Sequence, residues 1–220
     1  GIHDYHSGTW ESPFNYQQQS LLYLPEAMPE PSDFSFNEKL IEKVRPVIAA
    51  SEGRAFLLFT SYRAMHAAEK LLQNTIDYPI LMQGEHPKHQ LLERFKEAGN
   101  AVLLGTSSFW EGFDVRGEAL SCVIIDKLPF ASPGDPVMQA RIDAIRNSGG
   151  QPFMDYQLPR AVIALKQGVG RLIRDVSDRG VVVIGDPRIT GKTYGRIFLN
   201  SLPAMPVTSR LEDVERFYSS

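Results

Sequence analysis

A single cysteine, Cys122, occurs in the 220 residues. It excludes an internal disulfide, a four-cysteine zinc site or an iron–sulfur cluster held by this chain, because each needs several thiols. The expected compartment is therefore reducing, the cytosol. No run of 18 apolar residues occurs and no basic-then-apolar leader opens the sequence, so neither a membrane span nor a signal peptide is indicated. Repeats and low-complexity tracts are lacking as well. So is any excess of basic charge: 23 Lys and Arg against 26 Asp and Glu give a net charge of −3, which argues against a generally basic nucleic-acid binder. With 43% apolar and 22% charged residues, and Gly (17) and Pro (15) only slightly rich, the composition is that of a globular domain with a real core.

The average conceals a distribution. Residues 1–60 carry a net charge of −4 and residues 61–159 a net of −3, whereas residues 160–200 carry eight basic against three acidic side chains, a net of +5. An anionic partner is best accommodated late in the chain.

Short apolar, β-branched runs at residues 21–24, 55–60, 79–83, 101–106, 121–126 and 181–185 alternate with helix patterns at 37–51, 62–74 and 87–98 and with a longer helical insertion over 135–173. Strands of four to seven residues alternating with helices of ten or more predict an α/β fold, a parallel sheet with helices on both faces. Residues 1–20 read as a linker, 21–206 as one compact domain, and 207–220 as a tail. In such sheets ligands bind beyond the carboxyl ends of the strands, so those ends are the expected place for chemistry.

The segment PRAVIALKQGVGRLIRD predicts a helix over 159–175. With about 100° per residue and Gln167 at zero, Arg171 falls near +40° and Arg174 near −20°, opposite an apolar stripe of Val162, Leu165, Val169, Leu172 and Ile173. Two guanidiniums one turn apart repel unless an anion lies between them, and a polyphosphate suits their forked donors. Gly168 and Gly170, each costing roughly 1 kcal/mol in a helix interior, make sense where another surface or a ligand approaches closely. A second constellation, GTSSFWEGFDVRG, follows the apolar run AVLL. There Thr106, Ser107 and Ser108 offer hydroxyl and backbone donors to a phosphate. Gly112 allows unusual dihedrals or close approach, Asp114 can accept from a ribose hydroxyl, and Trp110 can stack on a base while Phe113 reads as core.

GTSSFWEGFD and QGVGRLIRD resemble motifs V and VI of superfamily 2 helicases, and FLLFTSY at 56–62 resembles motif IV. The strings LMQGE, DKLPFASPGDPV and DPRITGKTYGRIFLNSLP narrow the resemblance to the second RecA-like motor domain of the DinG and YoaA group, the bacterial XPD-like helicases. The resemblance implies an ATP-driven 5′-to-3′ DNA helicase used in replication and repair. It also implies that Arg171 and Arg174 contact the γ-phosphate, with Arg174 as arginine finger and Gln167 beside them. Glu111, Gly112, Asp114 and Gly170 would lie on the nucleotide side, and Thr60, Ser61, Gln83, Thr106 and Ser107 would hold single-stranded DNA. The chain starts at Gly1 and reads as an excised piece. The first motor domain, with its phosphate-binding loop, its Mg²⁺-binding acidic motif and, in many members, a 4Fe-4S cluster, is not in this sequence. The expectation is that this chain alone neither hydrolyses ATP nor unwinds DNA.

Two other classes stay open, a self-sufficient P-loop NTPase and a nonenzymatic single-strand-binding module. Gly191-Lys192-Thr193 invites the first, but the pattern needs a glycine where Asp186 stands, Pro187 lacks an N–H, and only 27 residues follow Thr193. His86, His89 and Glu93 match no common zinc spacing, so no metal site is assigned. Cys122 reads as a buried small hydrophobe. Leu211, Val214, Phe217 and Tyr218 form an apolar stripe in the tail that either packs on the domain or serves as a docking helix. For YoaA-type members the resemblance implies the chi (χ) subunit of polymerase III as partner.

Overall fold

The computed structural model describes residues 14–106, 109, 119–131 and 134–220. Its strands are β1 (Ser20–Tyr23), β2 (Ala55–Phe59), β3 (Ile80–Met82), β4 (Val102–Thr106), β5 (Cys122–Ile125), β6 (Gly180–Ile184) and β7 (Val207–Thr208). They form one sheet in the order β3-β4-β2-β5-β6-β1-β7, with every pairing parallel. The helices are α1 (Tyr16–Gln19), α2 (Phe36–Ala50), α3 (Tyr62–Leu72), α4 (Lys88–Ala98), α5 (Pro136–Asn147), α6 (Leu158–Val169), α7 (Arg188–Gly191), α8 (Gly195–Ser201) and α9 (Leu211–Ser219).

Continuous apolar strands form here because both sheet faces are covered, and successive side chains serve opposite cores. In β2, Phe56 and Leu58 join the layer containing α4 and α6, while Ala55, Leu57 and Phe59 join the layer containing α2 and α3. β5 and β6 alternate in the same way, Cys122 and Ile124 against Val123 and Ile125, Val181 and Val183 against Val182 and Ile184. A fully buried Leu, Val or Phe side chain contributes roughly 1.5–3 kcal/mol relative to exposure, so this two-sided burial is the main support of the domain.

The expected helical insertion over 135–173 is not continuous. Asp135 caps α5 by accepting from the N–H of Val137 and Met138 at 2.8 and 3.1 Å, with Pro136 in the first turn. The helix stops at Ser148, where Gly149 takes φ +81° and Pro152 follows. A π-helical turn, Phe153–Gln157, then leads into α6. α6 in turn ends at Val169, capped by Gly170, so the helix predicted to run to residue 175 ends six residues early.

The last residues of the chain belong to the sheet layers. β7 pairs with β1 through Leu22↔Val207 and Tyr23↔Thr208. α9 packs on the face of α2, burying Val214 completely. The Tyr218 hydroxyl donates to the Ser121 carbonyl at 2.6 Å.

Candidate functional site

At the carboxyl edge of the sheet, β2, β3 and β4 end side by side and their last residues are joined by side chains. Gln83 Oε1 accepts from both the backbone N–H and the hydroxyl of Thr106, at 2.7 and 3.0 Å. Its Nε2 donates to the Tyr62 hydroxyl at 2.8 Å. Ser61 caps α3, its oxygen accepting from Ala64 N–H at 3.2 Å, and the residue is exposed. Thr60, Ser61, Gln83 and Thr106 are thus brought together on one edge, with half-exposed Tyr62 among them.

Two buried carboxylates hold this edge. Asp126, which follows β5, accepts from Thr60 N–H at 3.0 Å, the Thr60 hydroxyl at 3.3 Å and Lys127 N–H at 2.6 Å. Burial pushes its carboxyl up to about 7, opposed by those N–H donors and by the Lys127 charge. Asp186, after β6, accepts from Leu128 N–H at 2.8 Å and forms a fork with Arg188 whose shortest contact is 2.6 Å. The loops after β2, β5 and β6 are therefore cross-tied. Both of Thr60's own donors are spent on Asp126, so the exposed hydroxyls nearest to it belong to its neighbours Ser61 and Tyr62.

The arginine segment lies elsewhere. Arg171 and Arg174 are beyond the end of α6, so they do not share a helix face with Gln167, contrary to the angular expectation. The apolar part of that expectation holds: Leu165, Val169, Leu172 and Ile173 are buried and Val162 packs against the same core. Glycine stands in the last two turns because the chain leaves the helix there, through Gly170 N–H to the Lys166 carbonyl at 2.8 Å and Arg171 N–H to the Gly168 carbonyl at 3.2 Å. From there the chain runs into the start of β6. A side chain on Gly180 would meet the Ser121 carbonyl oxygen at 2.2 Å and Leu172 at 2.6 Å. Arg171 and Arg174 thus sit at the amino edge, not the carboxyl edge. A strand of four or five residues separates the two edges, about 15 Å at the usual rise.

The loop after Arg174 is built by side chains. Asp178 Oδ2 accepts from the N–H of Arg174 and of Asp175, each at 2.8 Å. Groups that a longer helix would have paired internally are satisfied by a carboxylate instead, which is the physical reason α6 need not continue. Gln167 and Gly170 are exposed, Arg171 and Arg174 half-buried.

Ser107, Ser108, Trp110, Glu111, Gly112, Phe113 and Asp114 lie outside the described residues. In the Gly191-Lys192-Thr193 segment, the N–H groups of Gly191 and Lys192 donate to the Pro187 and Arg188 carbonyls at 2.9 and 3.1 Å. They close a helical turn rather than cradle an anion. His86 Nε2 lies 2.6 Å from Arg94 Nη1. Cys122 is buried, its thiol pushed up to about 12 by burial. Three residues with clear structural tasks, Tyr62, Asp126 and Asp178, are assigned none by the sequence pattern. For Asp126 and Asp186 a signal existed, an acidic residue directly after an apolar strand run, VIID and VIGD.

A parallel sheet of this topology with a polar carboxyl edge and an arginine loop leading into β6 defines the second RecA-like lobe of a superfamily 2 helicase. Residues 44–205 match the helicase C-terminal domain family, and the chain belongs to that family, in its DinG and YoaA branch. It is 49% identical over 99% of its length to the ATP-dependent DNA helicase YoaA of Escherichia coli, covering 34% of that protein. It is 37% identical over 92% of its length to the ATP-dependent helicase DinG of Mycobacterium tuberculosis, covering 31%. The chain therefore spans about a third of these relatives. A solved apo structure of XPD shares the fold, with a TM-score of 0.62 at 17% identity over 87% of this chain and 40% of that one.

Proposed function

We propose that this chain is the second motor lobe of an ATP-driven 5′-to-3′ DNA helicase acting in replication and repair in the cytoplasm, and that it is inactive without the first lobe. The observation that carries the reading is the division of the site. Hydroxyl and amide groups gather at the carboxyl edge, while the arginine loop is pinned at the amino edge by Asp178. A neutral polar edge suits sugar–phosphate contacts, which position a strand without reading its sequence. Ser61, Gln83, Thr106 and Ser107 are assigned to single-stranded DNA, with Tyr62 added to them, while Thr60, whose donors are held by Asp126, shapes this edge rather than donating to the strand. The guanidiniums suit the γ-phosphate of ATP held by the partner lobe. Arg174 stabilises the charge that develops during phosphoryl transfer, Arg171 assists, and Gln167, Gly170, Glu111, Gly112 and Asp114 line the nucleotide side.

ATP and Mg²⁺ are bound chiefly by the first lobe, which supplies the phosphate loop. Among the described residues no group of His, Cys, Asp or Glu is arranged to hold a metal ion. The single thiol is in the core, so any 4Fe-4S cluster would belong to the other lobe. No helix among the described residues is long and apolar enough to cross a membrane. Because Val214 and Tyr218 of α9 are committed to the fold, a χ-type partner would have to use the outward side of that helix.

The reading is tested by purifying this chain and the full-length protein and assaying both for DNA-stimulated ATP hydrolysis. Activity in the full-length protein only supports it. Activity of the chain alone that is lost in Lys192→Ala would instead support a self-sufficient NTPase. Single-strand binding by both proteins with no hydrolysis by either would support a nonenzymatic module.

A further inference from the structure

The segment leading into β1 reaches the arginine loop directly. Gln19 Nε2 lies 3.1, 3.0 and 2.9 Å from the carbonyl oxygens of Asp175, Val176 and Asp178. Its Oε1 accepts from Asn15 N–H at 2.7 Å. An amide nitrogen has two hydrogens, so three carbonyls share them and at least one bond is three-centred. From the other side, buried Asp178 takes the N–H groups of Arg174 and Asp175. The loop 174–178 thus has its first two N–H groups on the Asp178 carboxylate and three of its carbonyls on an amide more than 150 residues away in sequence. Asp175 and Val176 are solvent-exposed, and water alone would satisfy such carbonyls. A dedicated side chain at this point fixes the loop relative to β1, whose register is set by Ser20↔Gly180.

We infer that Gln19 and Asp178 are positioning residues for Arg174, and that Gln19 makes the arginine's placement depend on the segment entering β1. The inference rests on Arg174 being the arginine finger. A guanidinium that must meet charge developing on a phosphoryl group tolerates little displacement: a shift of about 1 Å can cost on the order of a hundredfold in rate. Asp178 sets the backbone of Arg174 and Gln19 sets the loop around it. A pull on residues 15–19, as when an adjoining lobe moves, is carried through one side chain to the finger.

The test uses the full-length protein, saturated with single-stranded DNA. Gln19→Ala is expected to lower kcat for ATP hydrolysis by about tenfold to a hundredfold. KM for ATP, DNA affinity and Tm should stay near the parent's. The affinity for ADP–aluminium fluoride, which mimics the transferring phosphoryl group, should fall while that for ADP does not. Asp178→Asn should behave alike, and Gln19→Ala covers the case in which an Asp178 variant fails to fold. In an Arg174→Ala background, Gln19→Ala should weaken ADP–aluminium fluoride binding no further. Two results overturn the inference while leaving the finger intact: parental kcat in Gln19→Ala when Arg174→Ala collapses it, or an equal further loss of analogue affinity in the double variant. Parental kcat in Arg174→Ala overturns the finger itself.

Discussion

Gln83 and Thr106 are joined twice at the carboxyl edge, the Gln83 carbonyl oxygen taking both the N–H and the hydroxyl of Thr106 at 2.7 and 3.0 Å. The same amide donates to Tyr62, so one side chain aligns the ends of β3 and β4 and the start of α3. In the full-length protein Gln83→Ala is expected to weaken single-strand binding about three- to tenfold. The slope of log affinity against log salt should stay unchanged, because slope counts cations on phosphates and Gln83 carries no charge. Fluorescence anisotropy over a salt series checks both parts. Unchanged affinity would remove Gln83 from the DNA surface.

Asp126 gives the domain a pH signature. Its carboxyl is lifted to about 7 by burial, against about 3.9 in an unfolded chain. The folded state therefore holds a proton that the unfolded state has lost across that interval. The contribution to stability is full below pH about 4 and is lost as pH rises through about 7. Asn cannot ionise, so the stability of Asp126→Asn relative to the parent should climb from pH 4 to 7 and level off above. Thermal unfolding of both proteins at several pH values measures this. A difference constant across the range would contradict it.

Tyr218→Phe removes the hydroxyl that donates to the Ser121 carbonyl, which still accepts from Val181 N–H. The expected cost is about 1 kcal/mol, a fall in Tm of roughly 2–4 °C for a domain of this size. Val214→Ala in the same helix empties a fully buried position against α2 and should lower Tm further. No change in either variant, by calorimetry, would mean that α9 is not integral to the fold.

The sheet was legible because β2, β4, β5 and β6 are buried on both faces and so appear as unbroken apolar runs between helix patterns. The end of α6 was not. Leu172 and Ile173 keep the helical spacing of apolar residues although the helix has ended, since they pack on the same core from a turn. The angular pairing of Gln167 with the two arginines failed for that reason, and the arginines lie at the amino edge rather than at the carboxyl ends where the chemistry was expected. β7 is two residues long and offers no periodicity. Nothing local marks Gln19, because its contacts join segments more than 150 residues apart, whereas Asp178 acts over only three and four residues, in a turn that the apolar helical spacing conceals. Motif order, by contrast, marks the family in the sequence itself.

Whether Arg174 acts on ATP bound by another lobe is decided by DNA-stimulated ATP hydrolysis of full-length Arg174→Ala beside the parent, with single-strand affinity measured in parallel. The result expected is a loss in kcat on the order of a thousandfold or more, as for other arginine fingers, with DNA affinity within about threefold of the parent. A kcat equal to the parent's at the same DNA occupancy would contradict the assignment.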